Sequence, residues 1–529
     1  MYFYANKHLQ AIVKKRFVAI LVATLTALIA GCGSPSGSPD AADGDSRSDE
    51  TIVRGLGGEP ETLDPALADD NAALALLQDL FEGLTAEAAD GSHIQGAAES
   101  WTISPDSLRW TFALRPNLHW SNGDPLPASS FVAGLERARD PASQAPYAGL
   151  LEPVRAIRAP DTRTVVFDLS RPMPHLPAVL AMPFAAPLHQ SHSFTEGRIT
   201  NGPYVVRSRR PGEDIELERN PDYHSAGSVA IERVTYLTLD DLNTELNLYR
   251  SGALDITSEV PNSQIGWLER NLPGELHVAP YLSTYAYALN LRRVQDRDVR
   301  AALSLAIDRA QITDRVTGAG ERPAQSWVPP GIPGYTPARA AWAGLDASAR
   351  TRQAQEHWSA ARKRGTAPAQ LTLCTDASAN HRRTAIALAD QWRQTLDVKV
   401  AIVEMEWKAY LATRKAPGEC DLLRYGWSAD FVDPEAFLAL FTSGHAQNVA
   451  GYSNPAYDAL ISRSGVAADA EQRAAFLASA ERILLQDAVV IPIFHRVSKR
   501  LVKPGIEGIA ANPLGHLPSR CLRLSQTKK

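Results

Sequence analysis

The sequence predicts an α/β protein with mixed sheets, divided into two or three domains. Residues 51–529 have ordinary globular composition and are too many for a single hydrophobic core. Short runs of alternating apolar and polar residues fill the first half, as half-buried strands do. In the second half, runs of the same kind are interleaved with long amphipathic helices, the βαβ arrangement that builds sheets with parallel strands. No internal repeat is present.

The N-terminus reads as an export signal. Lys14-Lys15-Arg16 precede an apolar segment from Phe17 to Ala30, which closes on Ile29-Ala30-Gly31-Cys32. A basic region, a short apolar core and small residues before a cysteine make a signal peptide over residues 1–31, too short to span a bilayer comfortably. The closing I-A-G-C resembles a lipobox, in which Cys32 is lipidated and becomes the mature N-terminus. Residues before Lys14 resemble no signal region, which puts the true start near Val13. Residues 32–50 carry the lipidated cysteine and then nothing larger than Ala among apolar residues, a flexible tether.

Beyond the tether the elements follow in order. Thr51–Leu56 is a strand, Asp64-Pro65 a turn, and Asn71 to Leu84 has apolar residues at helical spacing. Strands Arg109–Leu114 and Thr164–Leu169 flank a helix over Ser129–Ala138. After Asn201-Gly202-Pro203 come strands Tyr204–Ser208, Ile215–Arg219 and Val234–Leu239. The second half opens on one helix, Asp298–Ile312. Strand Leu371–Thr375, helix Arg382–Leu396 and strands Val398–Val403 and Asp421–Tyr425 follow. Asp433-Pro434-Glu435 supplies an N-cap, a proline at the first helical position and an acid in the first turn of a helix reaching Phe441. Helix Ala468–Leu485 hands over to strand Val489–Phe494.

Composition excludes several functions. The net charge is −5, with basic and acidic residues interspersed, so there is no nucleic-acid footprint. No second long apolar segment follows the signal. Besides Cys32 there are three cysteines, an odd number for an oxidising compartment. Cys374 and Cys420 both fall in strands and could pair, leaving Cys521. No Cys/His spacing suits a metal. His189 and His192 are spaced plausibly for one, but read as surface histidines. The chain lacks HExxH, a GxSxG in its folded body and a phosphate-binding glycine loop, so no catalytic residue, cofactor or enzyme activity is expected.

One stretch carries binding chemistry: Arg424-Tyr425-Gly426-Trp427-Ser428-Ala429-Asp430, read as a buried strand running into a loop. Asp430 can take an ammonium, Arg424 a carboxylate and Trp427 a side chain, the parts that hold a small zwitterion. Gly426 lets another backbone come close. A structural ion pair beside a core tryptophan would use the same residues. Asp433 has a capping role, which leaves Asp430 without a structural one.

Taken in order, eleven blocks resemble the peptide/nickel-type extracellular solute-binding proteins, family 5, of ABC importers, and within them the oligopeptide-binding receptors. They are E-P-E-T-L-D-P (Glu59–Pro65), D-L-F-E-G-L (Asp79–Leu84), A-E-S-W…W-T-F-A-L-R (Ala98–Arg115) and H-W-S-N-G-D-P (His119–Pro125). T-N-G-P-Y (Thr200–Tyr204), R-N-P-D-Y (Arg219–Tyr223) and V-R-A-A-L-S-L-A-I-D-R (Val299–Arg309) follow. E-W-K-A-Y-L, R-Y-G-W-S-A-D, Y-S-N-P-A-Y-D-A-L and R-L-V-K-P-G complete the series.

The resemblance implies a two-lobed periplasmic-binding-protein clamp of class II type, with an extra small domain and two hinge crossovers. One lobe would comprise residues 51–80, 202–282 and 498–529, the extra domain 81–201 and the second lobe 283–497, with hinges near Leu282 and Val497. It implies that Asp430 holds a peptide α-ammonium, and that Arg424 or His381 takes the C-terminal carboxylate according to peptide length. Trp427 and Trp407 would line side-chain pockets. Tyr285 and the backbone at Tyr425, Gly426 and Trp427 would face Asp69, Asp70 and Asn71 across the cleft, the peptide adding as a strand.

Two departures stand out. A cystine carried by similar receptors falls here on Ser283 and Ser428, and a lysine used with longer peptides falls on Thr317. The implied protein is a monomeric receptor, anchored to a membrane by lipid, that delivers short peptides to an ABC permease. Murein peptides are the rival ligand, with nickel chelates and haem behind them. Gly33 after Cys32 leaves inner or outer membrane open.

Overall fold

A computed structural model describes residues 51–191, 199–445, 447–467 and 469–525, with the backbone alone at Ala379, Trp407 and Lys408. The expected signal segment, start near Val13, lipidated Cys32 and tether, together with His192 and the expected helix start Ala468, lie outside the described residues. Among these residues, no helix is long and apolar enough to cross a membrane.

Three larger sheets organise the described residues, beside two two-stranded ones. The first has the order Thr51–Gly55, Arg233–Leu237, Asp214–Arg219, Tyr204–Arg210. Its first pair is parallel and the others antiparallel. The second is a four-stranded antiparallel sheet of Ala98–Ile103, Arg109–Leu114, Thr164–Leu169 and Val154–Asp161. Its alternation works as expected: Trp110, Phe112 and Leu114 point inward, and Phe112 meets Phe167 edge-on at 5.6 Å.

The third sheet has six strands in the order Arg322–Pro323, Val490–Leu501, Leu276–Leu289, Leu422–Ser428, Gln370–Asp376, Lys399–Met405. Its last two strands are parallel and joined by helix Ala379–Leu396, the βαβ unit read from the sequence. The disulfide Cys374–Cys420 is present here, with a Cα separation of 5.8 Å, and Cys521 is free.

Two long strands, Leu276–Leu289 and Val490–Leu501, cross from one side of the molecule to the other. One end reaches the first sheet through Ile256, which bridges both Arg54 of its first strand and Val502 just past the second crossing strand. The other end lies inside the six-stranded sheet. Between them the ladder breaks: Pro280 pairs Val497, and the next partners are Thr284 and His495. Unequal spacing on the two strands is a bulge, which bends and twists the pair locally.

Several elements differ from the expected ones. The first helix ends at Leu80, not Leu84, because the chain turns extended at Phe81 and Gly202 packs on the last turn. A Cβ on Gly202 would lie 2.6 Å from the Leu80 backbone. The helix expected over Asp298–Ile312 stops at Leu305, because Asp308 adopts extended backbone and caps a new start by accepting from Gln311 N–H at 3.0 Å. The strand expected over Val489–Phe494 runs on to Leu501, and the one over Asp421–Tyr425 runs on to Ser428. Most of the zwitterion stretch is therefore strand rather than loop. His189 is also not a surface residue: it is 7% exposed, stands edge-on to Trp120 and reaches Asp124 at 3.0 Å.

Candidate functional site

A cleft of about 790 Å³, open to solvent, runs along the crossing strands. The Leu422–Ser428 strand forms one wall, with Gly426, Trp427 and Ser428 on the cleft and Ala429 and Asp430 just beyond. Two observations explain this strand's position. Tyr425 is fully buried against Trp327, centroids 5.7 Å apart. Gly426 admits the facing strand, since a Cβ there would lie 3.0 Å from Thr284 O. Ala429 N–H donates to Leu282 O at 2.8 Å, fixing where Asp430 leaves the sheet.

Asp430 has no hydrogen bond or ion pair among the described residues. Burial pushes its carboxyl up to about 6, and the nearby His516 offsets only part of that. Burial alone would lower His516, but Glu87, 2.9 Å from Nδ1, holds it above its ordinary value. Asp433 does have the structural role expected of it: it accepts from Glu435 N–H at 2.8 Å and pairs with Arg473 at 2.8 Å. Asp433, Glu435 and His175 bring ligand atoms within 4.8 Å of one another, but Arg473 already bonds both carboxylates. Trp427 is half-buried and its indole N–H has no acceptor among the described residues.

On the facing side Asp69 and Asn71 line the cleft. Asp70 does not; it caps the helix Asn71–Leu80, accepting from Ala73 N–H at 2.8 Å. Tyr147, from the part of the chain that holds the antiparallel sheet, also lines the cleft. Burial, followed by Asp430 and Asp69, pushes its phenol far up.

Arg424 and His381 are brought together, but around Asp376 rather than on the cleft wall. Arg424 is 2.8 Å from Asp376 Oδ1, and His381 Nδ1 is 2.9 Å from the same atom. Burial opposes the charge on Asp376, yet Arg424 and His381 hold it below the usual carboxylate range. Burial and the Arg424 charge push His381 down to about 4, so its ring is neutral at pH 7. Tyr285 is 1% exposed and stacks on Phe494 at 4.6 Å, behind the cleft rather than in it. Trp407 opens helix Trp407–Lys415, and its side chain is outside those described. Thr317 donates to Thr313 O at 3.1 Å.

Sequence reasoning missed Tyr147, Glu87, His516 and the cations Arg54, Arg496, Lys499 and Arg500, all on the cleft. His516 and Glu87 are 429 positions apart, and nothing local announces their contact. The cations follow an alternation in Arg496-Val497-Ser498-Lys499-Arg500 that would have shown only which face each one took.

Two α/β bodies joined by crossing strands, with a cleft along the crossing, define a two-lobed clamp. Residues 94–448 match the family described as bacterial extracellular solute-binding proteins, family 5. The chain belongs to that family. It is 33% identical over 500 residues to the periplasmic oligopeptide-binding protein OppA of Escherichia coli, covering 89% of this chain and 92% of that one. To the periplasmic murein peptide-binding protein MppA of Escherichia coli it is 32% identical over 490 residues, 88% and 91% of the two chains. The crystal structure of Haemophilus influenzae OppA in complex with the peptide RPPGFSPFR superimposes with a TM-score of 0.77 at 32% identity, covering 90% of this chain and 99% of that one.

Proposed function

We propose that this protein is an extracytoplasmic receptor, lipid-anchored at Cys32, that captures short peptides in the cleft and presents them to an ABC permease. The observation that carries the reading is Asp430, an unpartnered carboxylate in the cleft whose charge is disfavoured until a cation arrives. A peptide α-ammonium is such a cation.

In this reading residues 51–80, 202–282 and 498–529 form one lobe, 283–497 the other and 81–201 the extra domain, and the break between Pro280/Val497 and Thr284/His495 supports hinges near Leu282 and Val497. Closure would enclose the peptide, which is what a permease can sense. The receptor acts as a monomer, without cofactor or catalysis. Arg424 and His381 would have to leave Asp376 to meet a peptide C-terminus.

A murein peptide is the second reading. It is favoured by the near-equal identity to the murein peptide-binding relative and by the several cations on the cleft. Native mass spectrometry of the tether-free domain, purified as it comes from cells, tests both. A spread of short-peptide adducts is expected. A single muropeptide mass would favour the second reading, and a haem or nickel-chelate mass would overturn both.

A further inference from the structure

We propose that Arg496 receives a carboxylate of the ligand, so that the cleft selects peptides with a free acid one short extended segment away from their ammonium. The proposal rests on the reading of Asp430 as the ammonium acceptor.

Among the described residues five arginine and lysine side chains line the cleft, and four have work elsewhere. Arg54 donates to Tyr236 Oη at 3.0 Å and to Ser519 Oγ at 2.5 Å. Lys499 pairs with Glu321 at 3.0 Å, and Arg500 donates to the Gly515 carbonyl. Arg414 lies over the Tyr425 ring at 5.1 Å and reaches Gln447 at 3.4 Å. Arg496 has no acid and no hydrogen-bond acceptor among the described residues. Its guanidinium lies loosely over the Tyr285 ring, 5.9 Å from the centre. A half-buried guanidinium on the cleft presents the planar fork that fits a carboxylate.

Its placement fits a short ligand. Thr284 pairs with Trp427 on one side and His495 on the other, so Trp427 and His495 are two strand spacings apart. At ~4.8 Å per spacing that is about 10 Å, roughly the length of three extended residues. Asp430 leaves the sheet three residues beyond Trp427 and Arg496 follows His495, so the two charges enter the cleft from strands on opposite sides of the crossing strand Leu276–Leu289. Arg424 and His381, by contrast, face Asp376, and the neutral His381 brings no charge of its own.

Calorimetry with trialanine, its C-terminal amide and Ala-Glu-Ala amide tests this on the wild type, Arg496→Gln, Arg496→Lys and Arg424→Gln. The wild type should bind the acid at least ten-fold more tightly than the amide. Arg496→Gln should bind both alike, and Arg496→Lys should keep part of the preference. Recovery of affinity by Ala-Glu-Ala amide in the wild type alone would identify a side-chain carboxylate as the source. If Arg496→Gln discriminates as the wild type does while Arg424→Gln does not, the proposal falls and the peptide reading stands. If no tripeptide binds the wild type, both fall together.

Discussion

Ser428 Oγ donates to Ser283 Oγ at 2.9 Å, directly across the antiparallel ladder between the crossing strand and the binding strand. The hydrogen bond is a side-chain tie between the crossing strand and the strand that presents Trp427 and leads to Asp430. Cα atoms facing each other in an antiparallel pair are about 4.5–5.5 Å apart, within disulfide reach. The double substitution Ser283→Cys/Ser428→Cys should oxidise spontaneously. Closing the 145-residue separation should add about 2–4 kcal/mol of stability, read as a melting shift that reductant removes.

Asp430 should cost the empty protein stability. Its folded carboxyl titrates near 6, above the unfolded value, so the neutral form is the one folding favours. The associated stability is fully present below about pH 4 and is lost as pH rises through 6. Asp430→Asn should therefore melt higher than the wild type at pH 7, by about 1–3 kcal/mol, and match it near pH 3. Denaturant titrations of ligand-free protein at the two pH values check this. The same variant should bind peptides much more weakly but still measurably, a trade of stability for function.

The same titration sets the pH dependence of binding. An ammonium needs the ionised carboxylate, so affinity should be flat just above pH 6 and fall roughly ten-fold per unit below it. A second fall should begin near pH 8, where the peptide's own amine loses its proton. A profile for Asp430→Asn lacking the acid limb would attribute that limb to this residue.

The Cys374–Cys420 disulfide ties the strand Gln370–Asp376 to the entry of the binding strand, across a separation of 46 residues. Chain entropy alone gives it about 4 kcal/mol. Cys374→Ser/Cys420→Ser should unfold at clearly lower denaturant while keeping peptide affinity within a few-fold, because neither cysteine lines the cleft.

Local patterns in the sequence announced much of this molecule. Alternation found Arg109–Leu114, and the cap at Asp433 freed Asp430 for another role. Local patterns failed where a distant contact decided the outcome. The helix from Asn71 stops at Leu80 because Gly202 packs on it, and His189 is buried because Trp120 and Asp124 reach it. The zwitterion stretch was found, but not its division of labour: Arg424 faces Asp376, and Trp427 and Asp430 face the cleft. Strand alternation separates these faces only once the strand is known to run through Ser428.

The account turns on Asp430 meeting an α-ammonium. Isothermal titration of a free tripeptide and its N-acetyl derivative into the wild type at pH 7 tests it most directly. Acetylation removes the cation and leaves the buried carboxylate unpaired, so affinity should drop at least a hundred-fold, about 3 kcal/mol. Binding of the two peptides within a few-fold of each other would contradict the assignment.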